Sequence, residues 1–481
     1  LRYLKQFELK LVAEVGKERA IVYENGAHVT SPERMLLPIY KEGSLGKYAT
    51  SLGLFVYDIM AGVIKEEKRI MLSREETIEI EPLIKSDGLV AGGSYVEYRT
   101  DDARLVIEVI KEAVAHGVKA VNYVKVIELL YKDGKVIGAM VENMLDGCFY
   151  NLFAKKVINA TGPWVDTIRQ KDHSLNGKRL RLTKGVHVVM DQEIFPLKQA
   201  VYFDTPNGRM IFAVPRDGKT YVGTTDTFYD KDPVNPDITR EDRLYLIQAI
   251  NYMFPAVKVA EGDIESCWAG VRPLIYEEGK GPSEISRKDE IWVSNSGLVS
   301  IAGGKLTGYR KMAESVVDLL TKLLQKEEDR SFPVCQTKRL PISGGHFGGS
   351  EGFPSFIAEK EKEALAVGFS KEQYIKLVRR YGSNIDCIFE IAKRFDPNNS
   401  YGLSLEVYVQ IVYGIEAEMT VKPVDFFIRR TGALYFDIEW VHNWKAPVIE
   451  FMANRSDWTE TDKNLYMKEL ETQLQLAADN F

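Results

Sequence analysis

The residues best suited to chemistry fall in the stretch Ser266 to Ala313, where Arg272, Arg287 and Lys305 surround the glycine pair Gly303-Gly304. The stretch reads as a strand-like run ending in Arg272-Pro273, a loop carrying Arg287, a strand from Leu298 to Ala302, the glycine turn, and an amphipathic helix after Lys305. Glycines without Cβ atoms let backbone approach a ligand closely, and the first N–H groups of a helix present partial positive charge to it. With three cations nearby, the arrangement suits a phosphate, or a flavin ring whose reduced form is negative along one edge. His187, one of six histidines, lies in a predicted strand. Such a residue serves either packing or proton transfer, and the residues alone leave both open.

The elements that must position these groups follow from periodicity. Leu1 to about Tyr23 is predicted helical, and Thr30 to Gly92 a mixture of short helices and loops broken by Pro32, Pro38 and Pro82. Tyr95 to Arg99 reads as a strand, followed by a helix capped by Asp101-Asp102 that runs to Gly117. Val118 to Val126 reads as a strand, and a meander to Tyr150 turns at Asp133-Gly134. KKVINATGPW then reads as a strand entering a glycine turn, and Leu180 to Asp226 holds several β segments with a hairpin at Asn207-Gly208. GTTDT, Gly223 to Thr227, ends these segments and suits a cap on the next element, a pocket lining or, as preferred, a structural turn, and Ile238 to Phe254 reads as a helix. SGGHFGGS, Ser343 to Ser350, reads as a linker, and seven helical stretches follow it.

At 481 residues the chain exceeds one ordinary core, so two domains are expected. The 63 Lys and Arg nearly balance the 69 Asp and Glu, which argues against nucleic acid as a partner. The four cysteines are far apart, in no metal-like spacing, which implies a reduced, cytoplasmic chain with no metal site. No apolar run approaches the roughly 18 residues of a spanning helix, so any membrane contact is expected from the surface.

WAGVRPL, ISRKDE and AGGKLTGYRKMAE resemble the C-terminal half of the flavin domain in FAD-dependent glycerol-3-phosphate dehydrogenases, a branch of the glycine/D-amino-acid oxidase-like flavoproteins. LRYLKQFE, YRTDDARL, NATGPWVD, TKGVH and GTTDT match further runs in family order. The resemblance implies an α/β fold: a FAD and substrate domain over residues 1–340 and a C-terminal helical domain over 341–481. Within the first, flavin parts are expected at about 1–30, 93–166 and 265–330, and an interleaved antiparallel substrate sheet at about 31–92 and 167–264. The strand, GxGxxG turn and helix that open this family's fold are absent. The expectation is therefore a fragment lacking its N-terminal βαβ element upstream of Leu1, holding little FAD by itself.

The resemblance also distributes roles. Ala160, Thr161, Gly162, Gly303, Gly304, Lys305, Leu306 and Thr307 are expected at FAD, although an ordinary strand-to-helix turn would explain the first three equally. Arg2 and Tyr3 are similar to residues that hold the substrate phosphate, with Lys305 and Arg287 beside them. His187 is the preferred base, paired with Arg272 at the reacting carbon. The implied reaction takes sn-glycerol 3-phosphate to dihydroxyacetone phosphate, with hydride transfer to flavin N5 and electrons passed to quinone. It is compatible with a peripheral position on the inner face of the membrane and with a homo-oligomer. A related α-glycerophosphate oxidase would use oxygen instead, but the short loop between Arg272 and Arg287 favours the dehydrogenase. A FAD-free fragment binding a phosphorylated metabolite is the third reading.

Overall fold

The computed structural model describes residues 9–43, 46–61, 67–276 and 288–478. Arg2, Tyr3 and Arg287 lie outside them. After a helix at Leu9–Asn25 come the strands Thr30–Tyr40 (β1), Ile70–Leu72 (β2) and Leu89–Thr100 (β3). A meander follows, Val124–Lys132 (β4), Lys135–Asn143 (β5) and Phe149–Phe153 (β6), and then the two-residue strand Ile158–Asn159 (β7). The run whose periodicity reads as short helices and loops, Thr30 to Gly92, contains a long strand, in line with the substrate sheet that the resemblance implies there. Its prolines are tolerated because the second neighbour of β1 pairs with it only at Met35 and Leu36, leaving Pro32 and Pro38 outside that ladder. The strand expected from Val118 begins only at Val124: Tyr123 has φ 55° and its hydroxyl is bonded to Asp425, 2.8 Å away.

Leu180–Asp191 (β8), Ala200–Asp204 (β9), Met210–Arg216 (β10), Lys219–Gly223 (β11), Thr227–Phe228 (β12) and Ser266–Ile275 (β13) complete the main sheet. Among the described residues it has nine strands in the order β12-β8-β11-β10-β9-β1-β3-β2, with β13 also paired to β8. The expected divisions at residues 93 and 265 cut across it, since β3 spans the first and β13 begins at the second. Alternation along β8 explains its two faces. Val186, Val188 and Met190 are fully buried in one core with Leu246, Ile250 and Met253 of the helix Arg240–Met253. His187 and Gly185 point to the opposite face. Glu290–Val293 (β14) and Val299–Ala302 (β15) form a small sheet with β7.

Beyond Pro341 the helices from Gly352–Ala366 to Glu460–Ala478 enclose a separate apolar core around Tyr374, Phe389, Phe426 and Phe427. The segment expected to be a linker is a packed seam. Ile342 N–H donates to Asn25 O (3.0 Å) and Ser383 N–H to Gly344 O (2.9 Å). A Cβ at Gly345 would collide with the Asn25 carbonyl, so glycine here serves close packing rather than flexibility. Arg429 pairs with Asp425 at 2.8 Å and Arg430 donates to the Glu418 carbonyl, which makes both structural parts of this region.

Candidate active site on the face of the sheet

Antiparallel partners point their side chains to the same face. His187 is opposite Gly223 on β11 and Trp268 on β13, Gly185 opposite Gly270, and Thr183 opposite Arg272. His187, Trp268, Arg272 and the three glycines therefore share one surface. The glycines shape it. A Cβ at Gly223 would strike the imidazole and one at Gly185 would strike the guanidinium, whereas Gly270 faces open space. The His187 and Arg272 side chains lie against Cβ-free backbone at Gly223 and Gly185, and open space remains at Gly270.

GTTDT is more than the structural turn expected. Thr224 Oγ1 accepts a hydrogen bond from Arg272 Nη2 at 3.1 Å, and Asp226 forms an ion pair with Nη1 at 3.5 Å. Thr225 Oγ1 accepts from Val186 N–H at 3.0 Å, tying this run to β8. Thr224 and Asp226 orient the arginine, and no local sequence signal marks them, because the contact spans strands far apart in the chain.

His187 stacks on Trp268 with ring centroids 4.6 Å apart and planes 10° from parallel. Its Nδ1 is buried and has no hydrogen-bond partner among the described residues. Burial, and after it the Arg272 charge, push its pKa down to about 3. The ring is thus a neutral imidazole with an open nitrogen at physiological pH. A cavity of about 260 Å³ opens on this face, bordered by His187, Tyr221, Phe212, Glu33, Glu97 and Arg99. Glu33 and Glu97 are register partners on β1 and β3; Arg99 pairs with the former at 2.8 Å and Arg19 with the latter at 3.2 Å. Apart from His187, none of these lining residues was expected at a site, since charges on neighbouring strands do not announce which face they share.

Ala160, Thr161 and Gly162 follow β7, and Gly303 to Thr307 follow β15, its parallel neighbour. The predicted strand KKVINATGPW shrinks to Ile158–Asn159, because Asn159 turns the chain. Its amide donates to Val165 O (2.9 Å) and Ser300 Oγ (3.1 Å), and its Oδ1 accepts from Thr161 Oγ1 (2.7 Å). Gly162, Gly303 and Gly304 have φ of 59°, 79° and 82°, a conformation that favours glycine. Lys305 is half-buried and precedes the 3-10 turn Leu306–Gly308. The two glycine turns meet the end of β13 through Val165, Ile275 and Ala302, which share one apolar cluster. His187 and Arg272 are brought together directly, and the glycine turns with Lys305 stand at the neighbouring strand ends.

Comparison with known proteins agrees with this architecture. Residues 1–310 match the family model described as FAD dependent oxidoreductase, and residues 335–463 that of the C-terminal domain of alpha-glycerophosphate oxidase. The aerobic glycerol-3-phosphate dehydrogenase of Bacillus subtilis (strain 168) is 59% identical over 471 residues, 98% of this chain and 85% of that protein. That of Staphylococcus haemolyticus (strain JCSC1435) is 56% identical, over 99% of this chain and 86% of its own length. Among solved structures, the glycerol-3-phosphate dehydrogenase from Bacillus halodurans complexed with FAD is 48% identical with a TM-score of 0.85, covering 97% of this chain and 86% of that one. The L-alpha-glycerophosphate oxidase from Mycoplasma pneumoniae, 20% identical with a TM-score of 0.51 over 64% of this chain and 79% of that one, shares the fold. With a sheet face carrying a histidine and an arginine, glycine turns at adjacent strand ends and relatives this close over nearly its whole length, the chain belongs to the aerobic glycerol-3-phosphate dehydrogenase family of FAD-dependent oxidoreductases.

Proposed function

We propose that this protein binds FAD, oxidises sn-glycerol 3-phosphate to dihydroxyacetone phosphate and passes the electrons to a quinone. The observation that carries the reading is the juxtaposition of a neutral histidine and a tethered arginine beside Cβ-free backbone. At Gly162 the Cβ position faces open space where a ligand such as FAD can approach backbone, whereas Gly303 and Gly304 let the second turn pack closely, since a Cβ there would strike Lys288 O or Met312. Ala160, Thr161, Gly162 and the run Gly303 to Thr307 would hold it, and when bound it supplies the acceptor for the hydride leaving C2. In this reading residues 1–340 carry both ligands and residues 341–481 form the helical domain.

His187 accepts the C2 hydroxyl proton at an imidazole nitrogen as the ketone forms. Its low proton affinity belongs to the site without substrate. A dianionic monoester near Arg272 offsets the guanidinium charge, the smaller of the two causes, and so raises that affinity while burial, the larger, stays in place. Arg272 stabilises oxygen as the proton leaves, while Arg2, Tyr3, Lys305 and Arg287 take the phosphate. Phosphate held away from the reacting carbon orients the substrate, so losing a cation lowers turnover as well as affinity.

A helix facing outward supports a membrane-borne acceptor. In Lys47–Ala61 the exposed residues Tyr48, Leu52, Phe55 and Ile59 are 89%, 63%, 45% and 64% accessible, and their spacing sets them along one side. Lys47 and Lys68 are exposed nearby, and Arg69 lies over the Phe55 ring at 5.0 Å. Such a helix lies in a lipid interface. No helix among the described residues is long and apolar enough to cross a membrane.

The test is steady-state oxidation of sn-glycerol 3-phosphate with a soluble quinone analogue, alongside peroxide release. Quinone reduction without peroxide is expected, and Arg272→Ala should lower kcat/KM by about 100-fold or more. Peroxide formed in step with substrate would replace the dehydrogenase by an oxidase. An undiminished Arg272→Ala rate would remove the arginine from the site.

A further inference from the structure

The C-terminal helices reach the back of the candidate site. Trp268, whose indole carries the His187 ring, is contacted on its other sides by Tyr435 and Phe436, with centroids 5.5 and 5.3 Å away. Both belong to the short helix Ala433–Phe436, inside the C-terminal region. Phe436 is also 5.8 Å from Tyr221, whose ring lies 6.0 Å from Trp268 and 6.5 Å from His187. Arg216 lies over the outer side of the Phe436 ring at 4.0 Å. Two tethers keep this helix region on β13: Ser266 Oγ donates to Tyr435 O at 2.6 Å, and Cys267 Sγ to Ala477 O at 3.2 Å. The stacked imidazole and indole thus continue, through tilted and edge-on ring contacts, from the site into the helical domain.

We propose that Trp268 is a positioning residue through which Tyr435 and Phe436 fix the plane of the His187 imidazole, making the C-terminal domain part of the machinery that aligns the base. The inference rests on His187 accepting the hydroxyl proton. Among the described residues none hydrogen-bonds Nδ1 of the imidazole to hold its orientation, and a Cβ-free strand position lies beneath it at Gly223. Ring stacking is what remains to set its angle. A stack supported from one side only would let the indole turn and the imidazole follow. Displacement of a reacting group by about 1 Å costs about 100-fold in rate.

The experiment uses the FAD-loaded protein with Trp268→Ala, Trp268→Phe, Phe436→Ala, Phe436→Leu and, as a control on the underlying reading, His187→Asn. FAD absorbance and thermal melting select variants that keep the fold. Trp268→Ala is expected to lower kcat by about 10- to 100-fold with KM changed less than threefold, and Trp268→Phe to restore most of it. Phe436→Ala should fall in the same direction more weakly, with Phe436→Leu between it and the parent. The second readout is the titration of the His187 ring by NMR of ring-labelled protein. The groups facing that ring are Arg272 on β13, Tyr221 on β11, and Glu33, Glu97 and Arg99 across the shared cavity. All stay in place in these variants, so a titration moved upward towards the free histidine value reports water admitted beside a loosened ring. Folded Trp268→Ala and Phe436→Ala variants with parental kcat and an unmoved titration overturn the proposal. A folded His187→Asn variant with parental kcat instead overturns the reading on which it rests.

Discussion

Arg104 and Glu418 face each other in the seam between the sheet and the C-terminal helices, with guanidinium Nη1 and Nη2 donating to the two carboxylate oxygens at 2.9 and 2.7 Å. Both side chains are almost fully buried, and Glu108, Lys111 and Arg430 complete the cluster. Removing Glu418 would leave the cations Arg104, Lys111 and Arg430 with Glu108 as the remaining carboxylate of the cluster, an excess of buried positive charge that is costly.

Glu418→Ala is therefore expected to cost about 3–5 kcal/mol, measured by urea denaturation at pH 7. Burial opposes the charge on Glu418, but Arg104 and then Lys111 outweigh it and hold its pKa down to about 2. A carboxylate depressed below its unfolded value contributes stability that is complete above about pH 5 and lost as pH falls towards 2. The gap between parent and variant should narrow over that window. A gap that stays constant from pH 7 to pH 3 would show that the carboxylate charge does not hold the seam.

Much of the sheet was legible because its strands announce themselves by alternation, as in RLTKGVHVVM, and by the Asn207-Gly208 turn. The pairing of His187 with Arg272 was suggested only by a resemblance, since β8 and β13 are joined across about 80 residues of chain and no local pattern records their register. Thr224 and Asp226 were passed over for the same reason. Ser343 to Ser350 misled in the other direction. Glycine and serine usually mark freedom, but here they mark backbone crowding against Asn25, His28 and Tyr381, which only packing between distant segments reveals.

The titration of His187 can be measured directly. With a folded pKa of about 3 set first by burial and then by Arg272, its ring should remain neutral from pH 8 down to about pH 4 in the substrate-free protein. The sign for stability follows. A histidine whose folded pKa lies below its unfolded value of about 6.5 supports the fold above that pH, and this support is lost as pH falls from about 6.5 towards 3. Arg272→Met should raise the titration point. A ring titrating near 6.5 in the parent protein would mean that water reaches the imidazole freely.

The glycine turns give a prediction with a spectroscopic readout. Gly304 has φ 82°, and a Cβ there would meet Met312 Sδ at 2.5 Å. Gly304→Val adds a branched side chain to a left-handed backbone position, which strains the turn whatever room is made. FAD content, read as flavin absorbance per protein, should fall severalfold relative to the parent, whereas Gly262→Ala, at a position with open space around it, should leave it unchanged. Equal flavin content in Gly304→Val and the parent would place the cofactor away from this turn.

The membrane contact proposed for the outward stripe on Lys47–Ala61 can be tested separately from the chemistry. Leu52 and Phe55 point away from Leu54 and Tyr57, which pack on the sheet, so Leu52→Glu with Phe55→Glu should leave the fold intact. Each apolar side chain buried in a lipid interface contributes about 1.5–3 kcal/mol, so the double change should weaken sedimentation with phosphatidylglycerol vesicles by 100-fold or more, roughly. Added salt should weaken the parent's binding as well, because Lys47, Lys68 and Arg69 flank the stripe and their attraction to anionic lipid is screened. Turnover with a water-soluble acceptor should stay at the parental rate, while turnover with a vesicle-borne quinone should fall with binding. Vesicle binding unchanged by the double substitution would move the membrane-facing surface to another part of the protein.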